Sequence, residues 1–145
     1  MKRTIALGLA AAVAMGAMLA ANPVLAAQAG GANLDYDFFK TRVAPIFMKK
    51  RPGHSPCVVC HTEANNFLRL EPLAPGQTAW NDEQMRKMFT SISRLVTPAN
   101  RPESRLLIHP LAPEAGGDLF HSGGRQFATK DDPDYKILMQ WAGVK

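Results

Sequence analysis

The sequence predicts an all-α fold. Three segments place apolar residues at spacings of three and four, which is the periodicity of one helix face. Each segment is bounded by residues that begin or end helices, and no run alternates apolar and polar residues as a half-buried strand would. Long loops containing glycine and proline separate the segments. We therefore expect about three main helices joined by loops that are long enough to wrap a ligand.

The first 26 residues predict a secretory signal peptide. Lys2 and Arg3 precede an uncharged apolar run at 5–21, and the small-residue pattern at 24–26 fits a cleavage site. The alternative is an uncleaved membrane anchor, since the run approaches the ~20 residues that span a bilayer. We expect cleavage, because an Ala- and Gly-rich run is less apolar than a typical span. The chain would then be exported to the periplasm or beyond as one domain of residues 27–145.

The first helix is predicted from Asp35 to about Met48. Pro45 should kink this helix or end it near Ala44, because proline has no N–H to donate and disfavours helical backbone in the residue before it. The apolar face consists of Tyr36, Phe39, Val43 and Phe47.

The second helix is predicted from Asn81 to about Val96, where Thr97-Pro98 follows. Asn81 and Gln84 have the spacing of a capping box, in which each side chain bonds the backbone N–H of the other residue. The apolar stripe consists of Met85, Met88, Phe89, Ile92 and Leu95.

The third helix is predicted to begin at Asp132-Pro133 and to end before Gly143. An N-cap followed by proline at the first helical position is a typical helix start. Its apolar face consists of Tyr135, Leu138 and Trp141. A short turn is expected at 102–107, and the stretches 70–79 and 110–129 should be irregular.

The distribution of charge argues against a nucleic-acid partner. Removing Lys2 and Arg3 lowers the formal net charge from +5 to +3, and the remaining basic residues are scattered among acids. No nucleophile triad or acid–base pair stands out. The acidic residues Asp131, Asp132 and Asp134 are explained as charges at a helix N-terminus, so we predict that the protein is not an enzyme.

Both cysteines of the chain lie in the motif Cys57-Val58-Val59-Cys60-His61, which has the spacing of a c-type haem attachment site. In such a site the two thiols add across the vinyl groups of haem, and the adjacent histidine becomes the proximal ligand of the iron. We expect one covalent haem c, with Val58 and Val59 packed on the edge of the ring. A thin core of three helices agrees with this, since small domains often include a cofactor in their interior.

Three other interpretations of the motif stay open. A disulfide or redox dithiol between Cys57 and Cys60 suits an oxidising compartment, but the βαβ pattern typical of thioredoxin-like motifs is missing. A zinc site with His61 needs a fourth, distant ligand, and no second tight ligand pair is visible. The third alternative is a chance cluster.

The stretch Phe38 to His61, FFKTRVAPIFMKKRPGHSPCVVCH, resembles the opening of many periplasmic c-type cytochrome domains. The tail from Ser104 to Val144 is similar to the end of planctomycete-type cytochrome c domains, with a Leu-Leu pair, a His-x-Gly-Gly turn, an Asp-Pro-Asp-Tyr helix start and a terminal Leu-x-x-Trp. The resemblance implies a cytochrome c-like fold around one haem, and it implies that the first and last helices pack together. The residues expected at that contact are Phe39, Val43, Leu138 and Trp141.

The sequence offers several candidates for the distal ligand of the iron, because the methionine usual in small cytochromes c has no clear counterpart. We favour His121, since neighbouring glycines allow close approach of the backbone and since the family's His-x-Gly-Gly turn falls on His121, Gly123 and Gly124. His109 is the alternative distal ligand, and a methionine or an open position also remains. The candidates for pairing with haem propionates are Arg125, Arg105 and Arg69.

Histidine on both faces of the iron leaves no open coordination position, which favours electron transfer over substrate activation. We therefore predict an exported carrier of single electrons that docks with redox partner proteins and meets a membrane only if the signal segment is uncleaved. The alternatives are a haem enzyme or gas-binding sensor with an open distal position, and a haem subunit of a larger redox complex.

Overall fold

The computed structural model of the protein describes residues 33–63 and 65–145. The predicted signal peptide and its cleavage site lie outside these residues. Within them the secondary structure is helical and contains no β-strand, so the all-α class is confirmed. Two isolated bridges join Arg51 to His54 and Leu111 to Phe127. In chain order, the elements are α1 (Tyr36–Phe38), a π-helical segment (Phe39–Val43), α2 (Ala44–Met48), α3 (Cys57–His61), α4 (Asp82–Ser93), a 3-10 turn (Arg101–Glu103), α5 (Arg105–Ile108), a second 3-10 turn (Pro113–Ala115) and α6 (Pro133–Ala142).

The first predicted helix is continuous but irregular. It begins where the Asp35 carboxylate accepts a hydrogen bond from the backbone N–H of Phe38 at 2.9 Å. The predicted bounds are confirmed, because helical structure runs from the Asp35 cap to Met48. Of the two effects expected of Pro45, a kink or an end near Ala44, the end near Ala44 is wrong. A π-helical segment ends at Val43, two residues before the proline, and such a wider turn absorbs an irregularity without ending the helix.

The second predicted helix is α4, and its capping box is confirmed. The side chain of Asn81 accepts from the N–H of Gln84, and the side chain of Gln84 accepts from the N–H of Asn81, both at 2.9 Å. The helix ends at Ser93, earlier than the predicted Val96, because the N–H groups of Leu95 and Val96 bond carbonyls three residues back. The chain therefore leaves the helix through tight turns before it reaches Thr97-Pro98.

The third predicted helix is α6, and both of its ends are confirmed. The Asp132 carboxylate accepts from the N–H groups of Asp134 and Tyr135 at 2.8 and 3.2 Å. Gly143 then ends the helix in the left-handed region, with φ 75°.

The first and last helical segments pack together, as expected. The rings of Phe39 and Trp141 lie 5.2 Å apart between centroids, and Trp141 Nε1 donates to the Asp35 carbonyl at 2.8 Å. Val43 and Leu138, also expected at this contact, are buried. This core forms a frame against which the loops of the molecule lie.

A cluster of charged side chains, which we call the Arg51 cluster, ties the segment before α3 to the start of α6. Arg51 Nη1 donates to Asp132 at 2.9 Å and Nη2 donates to Asp134, whose carboxylate also binds Lys49 Nζ at 2.7 Å. The guanidinium of Arg51 lies 4.4 Å from the ring centroid of Phe127. The segment leading into the cysteine motif is thereby held against the helical frame.

Candidate functional site

A cavity lies between α2, α3, α5 and α6, with about 650 Å³ of empty space when the part open to solvent is counted. Its walls are mostly apolar, and the polar side chains among them include three histidines. Such a lining, apolar with a few convergent polar groups, is typical of a cofactor or ligand site. The lining residues are Ile46, Phe47, Cys57, His61, Asn66, Phe67, Leu68, Leu95, Arg105, Leu106, His109, Pro110, His121, Gln126, Phe127 and Leu138.

The cysteine motif forms the short helix α3 at one wall of this cavity. Cys57 and His61 line the cavity, whereas Cys60 is exposed, and both cysteines are free thiols. Val58 is half-buried against the core and Val59 is exposed, and neither valine is among the lining residues. The helix thus presents one thiol and the imidazole to the cavity.

The imidazole of His61 is oriented by the loop that follows α3. Its Nδ1 lies 2.9 Å from both the side-chain oxygen of Asn66 and the backbone carbonyl of Leu68. Because a carbonyl oxygen only accepts, Nδ1 carries a proton, and in the neutral ring the lone pair is then on Nε2. Among the residues that the structure describes, Nε2 has no hydrogen-bond partner. Metal-binding histidines are commonly held in this way, through the ring nitrogen that does not bind the metal.

The imidazole of His121 is held by the same kind of bond. Its Nδ1 lies 2.5 Å from the carbonyl of Gly124, while the Gly124 N–H donates to the His121 carbonyl at 3.0 Å, which closes a tight turn. Gly124 has φ 85°, a conformation that favours glycine, and a Cβ there would lie 3.0 Å from Nδ1 of His54. The turn therefore requires glycine at this position.

Burial lowers the pKa of His121, and the neighbouring His109 and His61 lower it further against the opposing effect of the Gly124 carbonyl. The ring is therefore neutral at neutral pH. A neutral imidazole with a free Nε2 is the form of histidine that binds metals.

The rings of His61 and His121 face the same space. Their centroids are 6.2 Å apart and their planes differ by 24°. Two metal–imidazole bonds of ~2.0–2.1 Å account for about 4 Å of this distance. The remainder of about 2 Å corresponds to the distances from the two ring centres to their Nε2 atoms, so one metal ion would fit between the imidazoles with both Nε2 atoms turned towards it.

A third histidine, His109, lies beside this pair. Its Nδ1 is 2.6 Å from a carboxylate oxygen of Asp118, and its ring centroid is 4.8 Å from that of His121. Burial raises the pKa of Asp118, but the bonds from His109 and from the N–H of Phe120 outweigh this and leave its pKa below the ordinary value. Asp118 is therefore an anion that orients His109 at the cavity wall.

Of the three arginines predicted to pair with propionates, Arg105 is the one that lines the cavity within the described part of the chain. Its guanidinium lies 4.5 Å from the ring centroid of Phe67, another lining residue. Arg125 is not in the lining. Its Nη1 and Nη2 donate to the carbonyls of His121 and Leu119 at 3.1 and 2.5 Å. Arg69 is exposed and lies outside the lining.

The geometry of the site gives little support to a redox dithiol or a zinc site at the cysteine motif. Burial raises the pKa of the Cys57 thiol and so disfavours its thiolate form. Redox dithiols and zinc sites both need that thiolate. Within the ranges 33–63 and 65–145, no group of three or more His, Cys, Asp or Glu side chains is arranged to hold a metal ion.

Sequence reasoning missed several residues that orient the site. Asn66 and Asp118, which hold the rings of His61 and His109, carry no motif that marks them. Gln126 was also missed. Its side chain is buried, lines the cavity and has an Oε1 without a hydrogen-bond partner in the described structure. These residues follow no periodic spacing, so only the folded loops reveal them.

The chain matches no protein-family model, and neither the curated proteins nor the solved structures contain a match to it. None of the described helices is both long and apolar enough to cross a bilayer. What bears on the function is therefore the chemistry of the cavity residues.

Proposed function

We propose that this protein is an exported c-type cytochrome that carries one covalent haem and transfers single electrons, with His61 and His121 as the two axial ligands. The observation that carries the proposal is the pairing of these histidines. Their rings lie 6.2 Å apart, and each Nδ1 is bonded to a backbone carbonyl, which leaves both Nε2 atoms for a metal.

The donor set fits a haem better than an isolated metal ion. Among the described residues the site offers a histidine pair rather than a cluster of three or more ligands. A haem iron needs only axial ligands from the protein, because the porphyrin supplies the other four nitrogens. The mostly apolar walls would also suit the faces of a porphyrin.

The two cysteines would hold the haem covalently. Cys57 lies at the cavity wall beside His61, and Cys60 lies three residues later on the same short helix. When bound, a haem iron supplies a one-electron ferric–ferrous couple. The roles of the protein are to hold both imidazoles in place, to keep that of His121 neutral and to exclude water with apolar side chains.

Two further features support the proposal. The packing of Phe39 on Trp141 joins the first and last helical segments, which is the arrangement that a cytochrome c-like fold requires. Arg105 places a guanidinium at the cavity, where it would pair with a propionate. Electrons would be exchanged with redox partner proteins that dock near the cavity.

A second candidate function is favoured by His109. This histidine, braced by Asp118, is a polar group 4.8 Å from the ring of His121. If His121 were not bound to the iron, both side chains would face an open distal position, as in a haem enzyme or gas sensor. Binding of carbon monoxide separates the two functions, because a bis-histidine site has no open position.

The test uses the full chain, produced in a host with haem-ligation machinery, with visible spectra of the oxidised, reduced and carbon-monoxide-treated protein. We expect covalent haem, low-spin bands, no long-wavelength iron–sulfur charge-transfer band and no response to carbon monoxide. The variant His121→Ala should become high-spin and bind carbon monoxide, whereas the matched variant His109→Ala should keep the low-spin spectrum. The double variant Cys57→Ala/Cys60→Ala should release its haem when the denatured protein is extracted.

Each other outcome changes a specific part of the proposal. A wild-type protein without haem refutes the proposed function and leaves a disulfide or a zinc site as the explanation of the cysteine motif. A wild-type spectrum that is high-spin and shifts with carbon monoxide selects the enzyme or sensor instead. If His109→Ala opens the iron and His121→Ala does not, the distal ligand is His109.

A further inference from the structure

We infer that Arg125 positions the distal loop, which we define as residues 118–124, so that His121 reaches the iron. The inference rests on the proposed function and deepens it. The sequence alone assigned this arginine to a propionate. In the folded chain its guanidinium instead donates hydrogen bonds to the backbone carbonyls of Leu119 and His121. His121 is the proposed distal ligand itself.

The guanidinium of Arg125 bridges two carbonyls of the loop. Nη1 donates to the carbonyl of His121 at 3.1 Å, and Nη2 donates to the carbonyl of Leu119 at 2.5 Å. The His121 carbonyl also accepts from the N–H of Gly124. The planar guanidinium of Arg125 thus fixes the backbone of His121, which carries the imidazole.

The loop has little apolar packing to hold it without this brace. Leu119 is 69% exposed and Phe120 is 83% exposed, so the two residues just before His121 bury little apolar surface. Polar contacts replace that burial. Asp118 accepts from the N–H of Phe120 at 2.9 Å, and the guanidinium of Arg125 provides two further bonds.

Arg125 acts through His121 and not through the haem. It does not line the cavity, and both of its terminal nitrogens are already bonded to carbonyls. Lysine cannot replace it fully, because a single ammonium group lacks the planar fork that spans two acceptors. Arg125 is therefore a positioning residue for the distal ligand.

The test compares Arg125→Met, Arg125→Lys and Arg94→Met in the haem-loaded protein. Arg94 is exposed and lies at the C-terminal end of α4, so its variant controls for the loss of one positive charge. For Arg125→Met we expect the equilibrium between His121-bound and open iron to shift about tenfold towards the open form, the effect of losing a hydrogen bond to a charged group, so that carbon monoxide binds a detectable part of the reduced haem that it does not bind in wild type. Arg125→Lys should lie between this variant and wild type, and Arg94→Met should match wild type.

A double variant shows whether Arg125 acts through His121. Adding Arg125→Met to His121→Ala should leave the carbon monoxide response of His121→Ala unchanged. A further change would mean that Arg125 acts on the haem by another route and would overturn the inference. A wild-type response from Arg125→Met would also overturn it. If that variant does not fold, a wild-type response from Arg125→Lys is the overturning result.

Hydrogen exchange of the peptide covering 119–124 gives a readout that does not depend on the haem. We expect faster exchange in Arg125→Met than in wild type or Arg94→Met, and equal exchange would refute the bracing of the loop. Failure of the proposed function is recognised separately, because the wild-type protein itself would then lack haem.

Discussion

Replacing Arg51 with methionine removes the cation that joins the segment before the cysteine motif to the start of α6. Arg51 binds Asp132 at 2.9 Å, also binds Asp134, and stacks over Phe127 at the cavity wall. Methionine keeps most of the apolar stem of the arginine side chain, so the change acts mainly on charge and hydrogen bonding.

The size of the effect follows from the burial of the cluster. The side chains of Arg51 and Asp134 are 11% and 13% exposed, and removing one partner of a buried ion pair costs ~3–5 kcal/mol. Two contacts reduce this cost, because Lys49 still binds Asp134 and backbone N–H groups still bind Asp132. We expect the free energy of unfolding to fall by about 2–4 kcal/mol. At about 4 °C per kcal/mol, Tm should fall by roughly 8–16 °C.

The effect should depend on pH. Burial raises the pKa of Asp132, but the bonds from the Tyr135 N–H and from Arg51 outweigh burial, so the net pKa lies below its ordinary value. A lowered carboxyl pKa stabilises the folded state above the unfolded pKa of ~3.9, and this stabilisation is lost as the pH falls through the folded pKa. The difference between wild type and Arg51→Met should therefore be complete at pH 7 and smaller at acidic pH below the folded pKa.

Urea unfolding followed by circular dichroism, at pH 7 and in acid, measures both effects. The matched control is Lys136→Met, since Lys136 and Asp131 form an exposed pair at 2.9 Å that should contribute less than ~1 kcal/mol. The reasoning is refuted if Arg51→Met loses no more stability than Lys136→Met. It is also refuted if the loss in Arg51→Met does not shrink in acid.

Three further changes test the packing and the site. Trp141→Phe should lower the free energy of unfolding by about 1–3 kcal/mol in urea, because it removes the indole hydrogen bond and part of a buried ring, and a loss below ~0.5 kcal/mol would contradict this. Gly117→Ala should cost more than ~3 kcal/mol or prevent folding, because its Cβ would overlap the Leu111 carbonyl, and normal thermal unfolding would rule out that contact. If the protein is the proposed cytochrome, Arg105→Met should lower its reduction potential by roughly 20–45 mV, which corresponds to about 0.5–1 kcal/mol for a one-electron couple, because a cation beside a haem favours the reduced form. Arg94→Met is its control. An equal shift of the reduction potential in both variants would show that Arg105 does not pair with a propionate.

The helices could be predicted from the sequence because their signals are local. The Asn81 capping box and the Asp132 N-cap each lie within a few residues of the backbone groups they bind. Two local details, the passage of the chain through Pro45 and the early end of α4, have conformational causes that no short pattern encodes. The helix around Pro45 continues through a π-helical segment, and α4 ends before Val96 in tight turns.

The candidate site could be predicted only where its residues are close in sequence. Cys57, Cys60 and His61 lie on one short helix, so their spacing alone placed them together. The partners of the imidazoles come from loops. His109 is held by Asp118, and Arg125, which was expected to pair with a propionate, donates to the carbonyls of His121 and Leu119.

By itself, the sequence determined the all-α class and the positions of the caps, because helix periodicity and capping act over a few residues. The tertiary structure alone decided that His61 and His121 lie 6.2 Å apart and that Arg105, not Arg125, lines the cavity. The physical reason is that a loop's conformation is set by hydrogen bonds to distant or irregularly spaced partners. Such bonds have no period that a sequence pattern could display.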